Sequence, residues 1–287
     1  MDWMRRRVAL NYLIGLALFV LGFFINIIFI GTFIVFIILF TRGTIKFIKY
    51  RAMFKKEVVG KVVHLINPFY QYSANKHISL NDFNQSKIIS KPASACKGDD
   101  YVTGIIDKTQ FEFSELKALH EYQATGSDSR TEKKYETLFN GIFFMADFNK
   151  HIQGETYVIP DNAERLLGKF GQNLQRSWLG ELVKLENPDF EKHFAVFATS
   201  QTEARYVLTP TMMEAIVNLK EKIGRNFSLS FTGERVYCGV VFNRGLFEPA
   251  LFRSVRYGDV EFMHTLFTLI EVIITEMNLN TRIWTKE

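Results

Sequence analysis

The feature that most constrains this chain is a run from Val8 to Phe40 without a charged residue, in which only Asn11, Asn26 and Thr32 are clearly polar. As one helix its 33 residues would extend roughly 50 Å, against a hydrocarbon core of about 30 Å. Two helices, about Met4–Phe23 and Ile27–Lys46, match that thickness, with Gly22 and Asn26 as turn chemistry between them. The alternative is a single tilted span with an interfacial extension. Arg5, Arg6 and Arg7 precede the run, and Arg42, Lys46, Lys49, Arg51, Lys55 and Lys56 follow it. Because cytoplasmic ends of membrane helices are enriched in Lys and Arg, a hairpin puts both termini in the cytoplasm. A single span puts the richer C-terminal flank there. Either way residues 57–287 are predicted to be cytoplasmic and the lipid bilayer to be a partner. The run is too long for a cleaved signal peptide, and no small-residue cleavage site follows it.

The charge balance divides at the same place. Of 35 Lys and Arg, nine lie in residues 1–56 beside one acid, Asp2, leaving 26 bases against 29 acids for residues 57–287. The sequence pI of 9.0 therefore belongs to the membrane flanks and is no argument for nucleic-acid binding. The bases of Thr41–Lys56 alternate with Ile45, Phe47, Ile48 and Phe54, as expected of a helix leaving the bilayer past anionic headgroups. Two cysteines, Cys96 and Cys238, exclude a disulfide scaffold and a Cys-rich zinc module.

The expected organisation is thus a transmembrane hairpin with its basic exit over 1–56 and a cytoplasmic α+β domain with a mainly antiparallel sheet over 57–287. Glu57–Tyr70 carries a helical apolar stripe that ends near Pro68. Tyr101–Phe113 reads as a hairpin turning at Asp107-Lys108, and Ala124–Lys134 as a polar loop. Leu138–Phe148 and Glu155–Ile159 read as two strands joined through Gly154, with further strands at Leu182–Leu185 and Phe194–Ala198. Phe227–Phe231 and Val236–Phe242 flank Thr232-Gly233-Glu234-Arg235, a predicted hairpin turn. Ser200 with Glu203, and Thr211 with Glu214, have capping-box spacing for two helices, the second ending near Gly224. A last helix, about Asp259–Met277, carries Val260, Met263, Phe267, Ile270, Ile274 and Met277 on one stripe, the pattern of a core-facing helix.

Recognised chemistry is scarce. The chain has no Gly-x-Ser-x-Gly, Walker or Gly-x-Gly-x-x-Gly motif, and its six histidines have no metal-ligand spacing, so neither a metal nor a cofactor is predicted. Carboxylates at strand ends and turns are the remaining candidates: Asp99 and Asp100 after Gly98, Asp147, Asp161 after Pro160, and Glu186 and Glu191 around Asn187-Pro188-Asp189-Phe190. Paired acids serve as acid and base or hold a divalent ion, yet acids in such places also cap turns. Asp147, Asp161, Glu186 and Arg205 are the weak catalytic candidates. Arg205 is expected to reach an acid elsewhere in the fold.

Several ordered phrases carry a resemblance. They are Phe139-Asn140-Gly141-Ile142-Phe143-Phe144, Asp147-Phe148-Asn149-Lys150, Gly154-Glu155-Thr156-Tyr157-Val158-Ile159-Pro160-Asp161, Leu185-Glu186-Asn187-Pro188-Asp189-Phe190-Glu191-Lys192, Glu203-Ala204-Arg205-Tyr206-Val207-Leu208-Thr209-Pro210 and Phe247-Glu248-Pro249. Over about residues 95–250 the chain resembles bacterial membrane proteins grouped as domain-of-unknown-function family 3137. The resemblance implies a protein of the bacterial inner membrane with a cytoplasmic domain, and it carries over no reaction and no catalytic residue. The expected function is a membrane-tethered interaction or regulatory module that meets a protein partner or itself. The alternative is an enzyme at the membrane face acting on a lipid or a phosphorylated metabolite.

Overall fold

The uncharged run folds as the helices α1 (Asp2–Phe23) and α2 (Phe29–Phe54), paired antiparallel. The Tyr12 ring lies 5.3 Å from that of Phe40, and its hydroxyl shares a hydrogen bond of 3.1 Å with Thr44 Oγ1. Further along, Phe19 meets Phe36 at 5.3 Å and Phe33 at 6.3 Å. Gly43 permits the close approach: a Cβ there would stand 3.0 Å from the Tyr12 ring. The computed structural model describes residues 2–23, 29–89, 91–125, 131–160, 179–242, 245–251 and 253–276, so Asn26 and the turn lie outside the described residues.

Helix α2 continues through one π-helical turn, Lys55–Val59, into α3 (Gly60–Ile66), which ends before Pro68 as the stripe predicts. Gly31–Ile66 is therefore one helix of 36 residues, and among the described residues it is the one long and apolar enough to cross a membrane. A two-helix crossing goes further than this. Helix α1 offers 16 uncharged residues, Val8–Phe23, fewer than the about 20 that span a bilayer. Leu10, Leu13, Leu16, Ile34, Ile37 and Ile38 are all exposed.

The chain divides into two units: Met1–Ile66 with Leu246–Thr265, and Asn67–Gly245 with Leu266–Glu287. In the first, Arg51 and Lys55 both pair with Glu248, Arg51 Nε donating at 2.6 Å, and Arg253 holds Asp259 at 2.5 and 2.7 Å.

The second unit is built on seven strands: β1 (Gln71–Ser73), β2 (Ala95–Ile106), β3 (Thr109–Thr125), β4 (Thr131–Pro160), β5 (Glu181–Val183), β6 (Phe194–Ala198) and β7 (Phe227–Val241). They run in the order β1-β2-β3-β4-β6-β5, with β7 also on β4, and every pairing is antiparallel. This confirms the α+β class with an antiparallel sheet. The β2–β3 hairpin turns at Asp107-Lys108 as expected, with Asp107 at φ 53°. The expected loop at Ala124–Lys134 is shorter, since Ala124–Thr125 pair with Thr131–Glu132; residues 126–130 lie outside the described set.

Two expectations are corrected here. Leu138–Phe148 and Glu155–Ile159 belong to one 30-residue strand, and Phe227–Phe231 and Val236–Phe242 do not form a hairpin, because β7 passes straight through Gly233. The register of β4 against β7 shifts between Asp147 and Ile152 and again before Glu155, and Gly233, at φ 63°, sits opposite Ile152. Both strands bend at one place through bulges, and glycine supplies the positive φ that a bulge needs as readily as it supplies one to a turn. β3 and β6 pair one after the other along one edge of β4, while β7 takes the opposite edge.

The helices of this unit start on capped residues. Ser79 caps α4 (Leu80–Gln85) and Asn187 caps α5 (Pro188–Glu191). Ser200 caps α6 (Gln201–Val207), accepting from the Glu203 amide at 3.4 Å. For α7 (Pro210–Ile223) the cap is Thr209 rather than Thr211, because Pro210 fits the first helical position, where no N–H is needed. That helix ends at Gly224, φ 63°, as expected. Phe83 packs on Phe139 and Phe143 on one face of the sheet, and Phe113 meets Phe267 of α8 (Tyr257–Glu276) on the other. Met263, Phe267 and Ile274 of the predicted stripe are buried.

Candidate functional site

Alternation along the strands puts Gln110 and Glu112 of β3, Met145 and Asp147 of β4, and Arg235 and Tyr237 of β7 on one face, since Glu112 opposes Met145, Met145 opposes Tyr237, and Asp147 opposes Arg235. Toward Phe143 this face is closed by Phe83 of α4. Further along, it opens into a shallow cleft of about 60 Å³, lined among others by Gln110, Glu112, Met145, Asp147 and Arg235.

The cation of the cleft is already engaged. Arg235 Nη1 donates to Asp82 Oδ1 at 3.0 Å, and the Tyr237 hydroxyl also bonds the guanidinium. Asp82 in turn accepts from Ser79 Oγ at 2.5 Å through its other oxygen. Glu112 is half-buried and takes a hydrogen bond from the Tyr101 hydroxyl. Burial raises its pKa above the ordinary carboxylate value, as do the Asp82 and Asp147 carboxylates, against the opposing pull of Tyr101 and Arg235. Burial and the hydrogen bond to Glu112 push the Tyr101 hydroxyl up to about 12. Asp147 is exposed, and no described side chain pairs with it. A shifted carboxyl beside a second carboxylate and an arginine in a cleft marks a candidate site on physical grounds.

The predicted candidates do not converge. Asp147 lines the cleft. Asp161 lies outside the described residues. Glu186 is exposed in the loop before α5, and Arg205 is exposed on α6. Arg205 reaches Gln201 one turn back, at 3.3 Å to its carbonyl and 3.4 Å to its side chain, instead of the expected acid. Sequence reasoning missed Glu112, Arg235, Asp82 and Tyr101, which come from four separate elements and have no local spacing. Elsewhere, ligand oxygens of Asp99, Asp100 and Glu115 lie within 4.8 Å of one another, and buried Asp100 accepts from the Tyr72 hydroxyl. Of the membrane-flanking bases, Arg5 is buried, while Arg6, Arg7, Arg42, Lys49 and Arg51 are exposed and Lys46 is intermediate.

The fold and cleft define a protein with an apolar N-terminal helix pair and an α+β unit that opens a charged cleft on an antiparallel sheet. Residues 137–279 match the model of the family described as "Protein of unknown function (DUF3137)", which supports the resemblance. No curated protein matches the chain. Among solved structures, the crystal structure of the mycobacterial trehalose monomycolate transport factor A, TtfA, is similar at 8% identity and a TM-score of 0.41, covering 78% of this chain and 97% of that one. A likeness at that score carries nothing about the function of this chain.

Proposed function

We propose that this protein is a membrane-tethered interaction or regulatory module of the bacterial inner membrane, with α1 and α2 crossing as a hairpin, both termini cytoplasmic, and the α+β unit meeting a protein partner or a second copy. The observation that carries this reading is helix Gly31–Ile66. Only 6% of its most apolar window is buried by the protein itself, so its side chains need another apolar phase. A tether raises the effective concentration of the cytoplasmic unit beside other membrane proteins, so weak contacts suffice. The scatter of Asp147, Glu186 and Arg205 over the fold favours this reading over an enzyme acting on a lipid or a phosphorylated metabolite.

The test is brief crosslinking in native membranes, gentle extraction and mass spectrometry of the full chain, with a chain lacking residues 57–287 as control. A reproducible protein partner or self-crosslink that the control lacks is expected. Recovery of bound lipid or metabolite with no protein crosslink would move the assignment to the enzyme.

A further inference from the structure

We infer that Arg42, Lys46 and Lys49 of α2 form a binding site for the phosphate of an anionic phospholipid in the cytoplasmic leaflet. The inference rests on the membrane-tether reading and names the lipid class that the tether selects.

The three bases share one face. Spacings of four and three residues stack them along one side of α2, whereas Arg5, Arg6 and Arg7 follow one another and point around α1. Arg42 and Lys49 are exposed, Lys46 is partly buried, and no described acid pairs with any of them. Farther along the same helix the chain does supply acids: Arg51 and Lys55 share Glu248, and Lys61 pairs with Glu57 at 3.0 Å. Like charges one turn apart repel along a helix, so the stripe is a standing cost that an outside anion relieves.

The depth of the stripe selects the anion. Tyr12 stands level with Thr44, and a Cβ on Gly15 would meet Phe36 and Leu39 at 3.4 and 3.6 Å, so Arg42 lies beside the stretch between Tyr12 and Gly15. That is at least five residues, or about 8 Å, farther into the helix pair than Arg7. The outward side chains at this level are apolar: Leu10, Leu13 and Ile14 on α1, Ile45 and Ile48 on α2. A basic flank that only orients the helix needs no more than surface bases such as Arg6 and Arg7. A base more than a turn deeper, level with side chains that require acyl chains, is remote from bulk water and must find its counter-charge in the leaflet. Its apolar stem lies along the helix while its charged head reaches for the headgroup layer. A phospholipid meets both demands in one molecule, with acyl chains for the leucines and isoleucines and a phosphate for the bases. The Arg42 guanidinium can hold two phosphate oxygens at once, and Lys46 and Lys49 add point charges toward the cytoplasm.

The probes are phosphatidylglycerol and phosphatidylcholine, titrated into full-length protein in a neutral maltoside detergent and counted on the protein by native mass spectrometry. Phosphatidylglycerol should be retained at concentrations about tenfold below phosphatidylcholine. Arg42→Gln combined with Lys46→Gln should remove that preference and leave phosphatidylcholine retention unchanged, the sign that the helix pair is intact. Arg6→Gln combined with Arg7→Gln, an equal loss of charge on α1, should keep the preference. Arg42→Lys combined with Lys46→Arg, which exchanges the bases and preserves their charge, should keep it too. Glycerol phosphate, which has the anion without acyl chains, should not displace the lipid. Equal retention of the two lipids by the parent chain, the same loss in the Arg6 and Arg7 variant, loss in the charge-preserving exchange, or displacement by glycerol phosphate would each overturn the site. None of these results depends on whether a protein crosslink is found, so failure of this site and failure of the interaction module are told apart.

Discussion

Glu112 is a carboxyl that the fold keeps partly against its own chemistry. Burial first, and the Asp82 and Asp147 carboxylates after it, raise its pKa above the ordinary 4.5, so the folded state favours the protonated form. The sign follows from proton linkage. Below pH 4.5 the group is protonated in both states and costs nothing. As pH rises through that value the unfolded chain ionises first, and the cost grows until the folded carboxyl also ionises, then remains. Glu112→Gln removes the ionisation and keeps an amide oxygen for the Tyr101 hydroxyl. The variant should melt about 2 °C higher than wild type at pH 7, with the difference gone by pH 4. Differential scanning at the two pH values checks this, and an equal gain at both would assign the effect to packing. A residue that destabilises its own fold at neutral pH is a reasonable place to look for a binding role.

At the scale of elements, the bend shared by β4 and β7 decides the architecture, and one side chain braces it. Glu203 Oε2 accepts from the backbone amides of Gln153 and Gly154 at 2.9 and 3.1 Å, so the second half of the predicted capping box serves a strand bulge instead of its own helix start. Thr199 Oγ1 adds a bond from the Glu155 amide at 2.8 Å. Glu203→Ala leaves two amides without their acceptor and should cost about 1–3 kcal/mol, with faster hydrogen exchange at Gln153 and Gly154 than elsewhere in β4. Unchanged exchange there would show that water replaces the carboxylate freely. The same place explains what was legible. The β2–β3 hairpin, the end of α7 and the end of α3 were readable because Asp107-Lys108, Gly224 and Pro68 act locally. Gly233 was misread as a turn because a local signal cannot distinguish a reversal from a bulge; the register of the neighbouring strand makes that choice. The cleft was hidden for a related reason. Asp82 and Arg235 are 153 residues apart, and only the path of the sheet brings them together, so Asp147 alone of its members was legible.

At the scale of the whole chain, the open question of one crossing or two has a structural lever. Helix α1 lies antiparallel on α2 from the Tyr12–Thr44 contact to the Phe19–Phe33 contact. If Gly31–Ile66 crosses the bilayer, a partner packed along it through this length is drawn across too, because separating the two in lipid would break the Tyr12–Thr44 hydrogen bond and the ring contacts without any compensating hydrophobic gain. The hairpin therefore predicts that reporters fused before Met1 and after Glu287 report the same, cytoplasmic side, as the Lys and Arg flanks also require. A single crossing predicts opposite sides. Gly43→Leu is the informative control, since a Cβ there already meets the Tyr12 ring at 3.0 Å and a larger side chain forces the helices apart. In the hairpin this variant should give a mixed signal from the N-terminal reporter while the C-terminal one stays cytoplasmic. Opposite sides in the parent chain, with no response to Gly43→Leu, would mean that α1 reaches the far face without relying on its contact with α2, and the tether would be one helix.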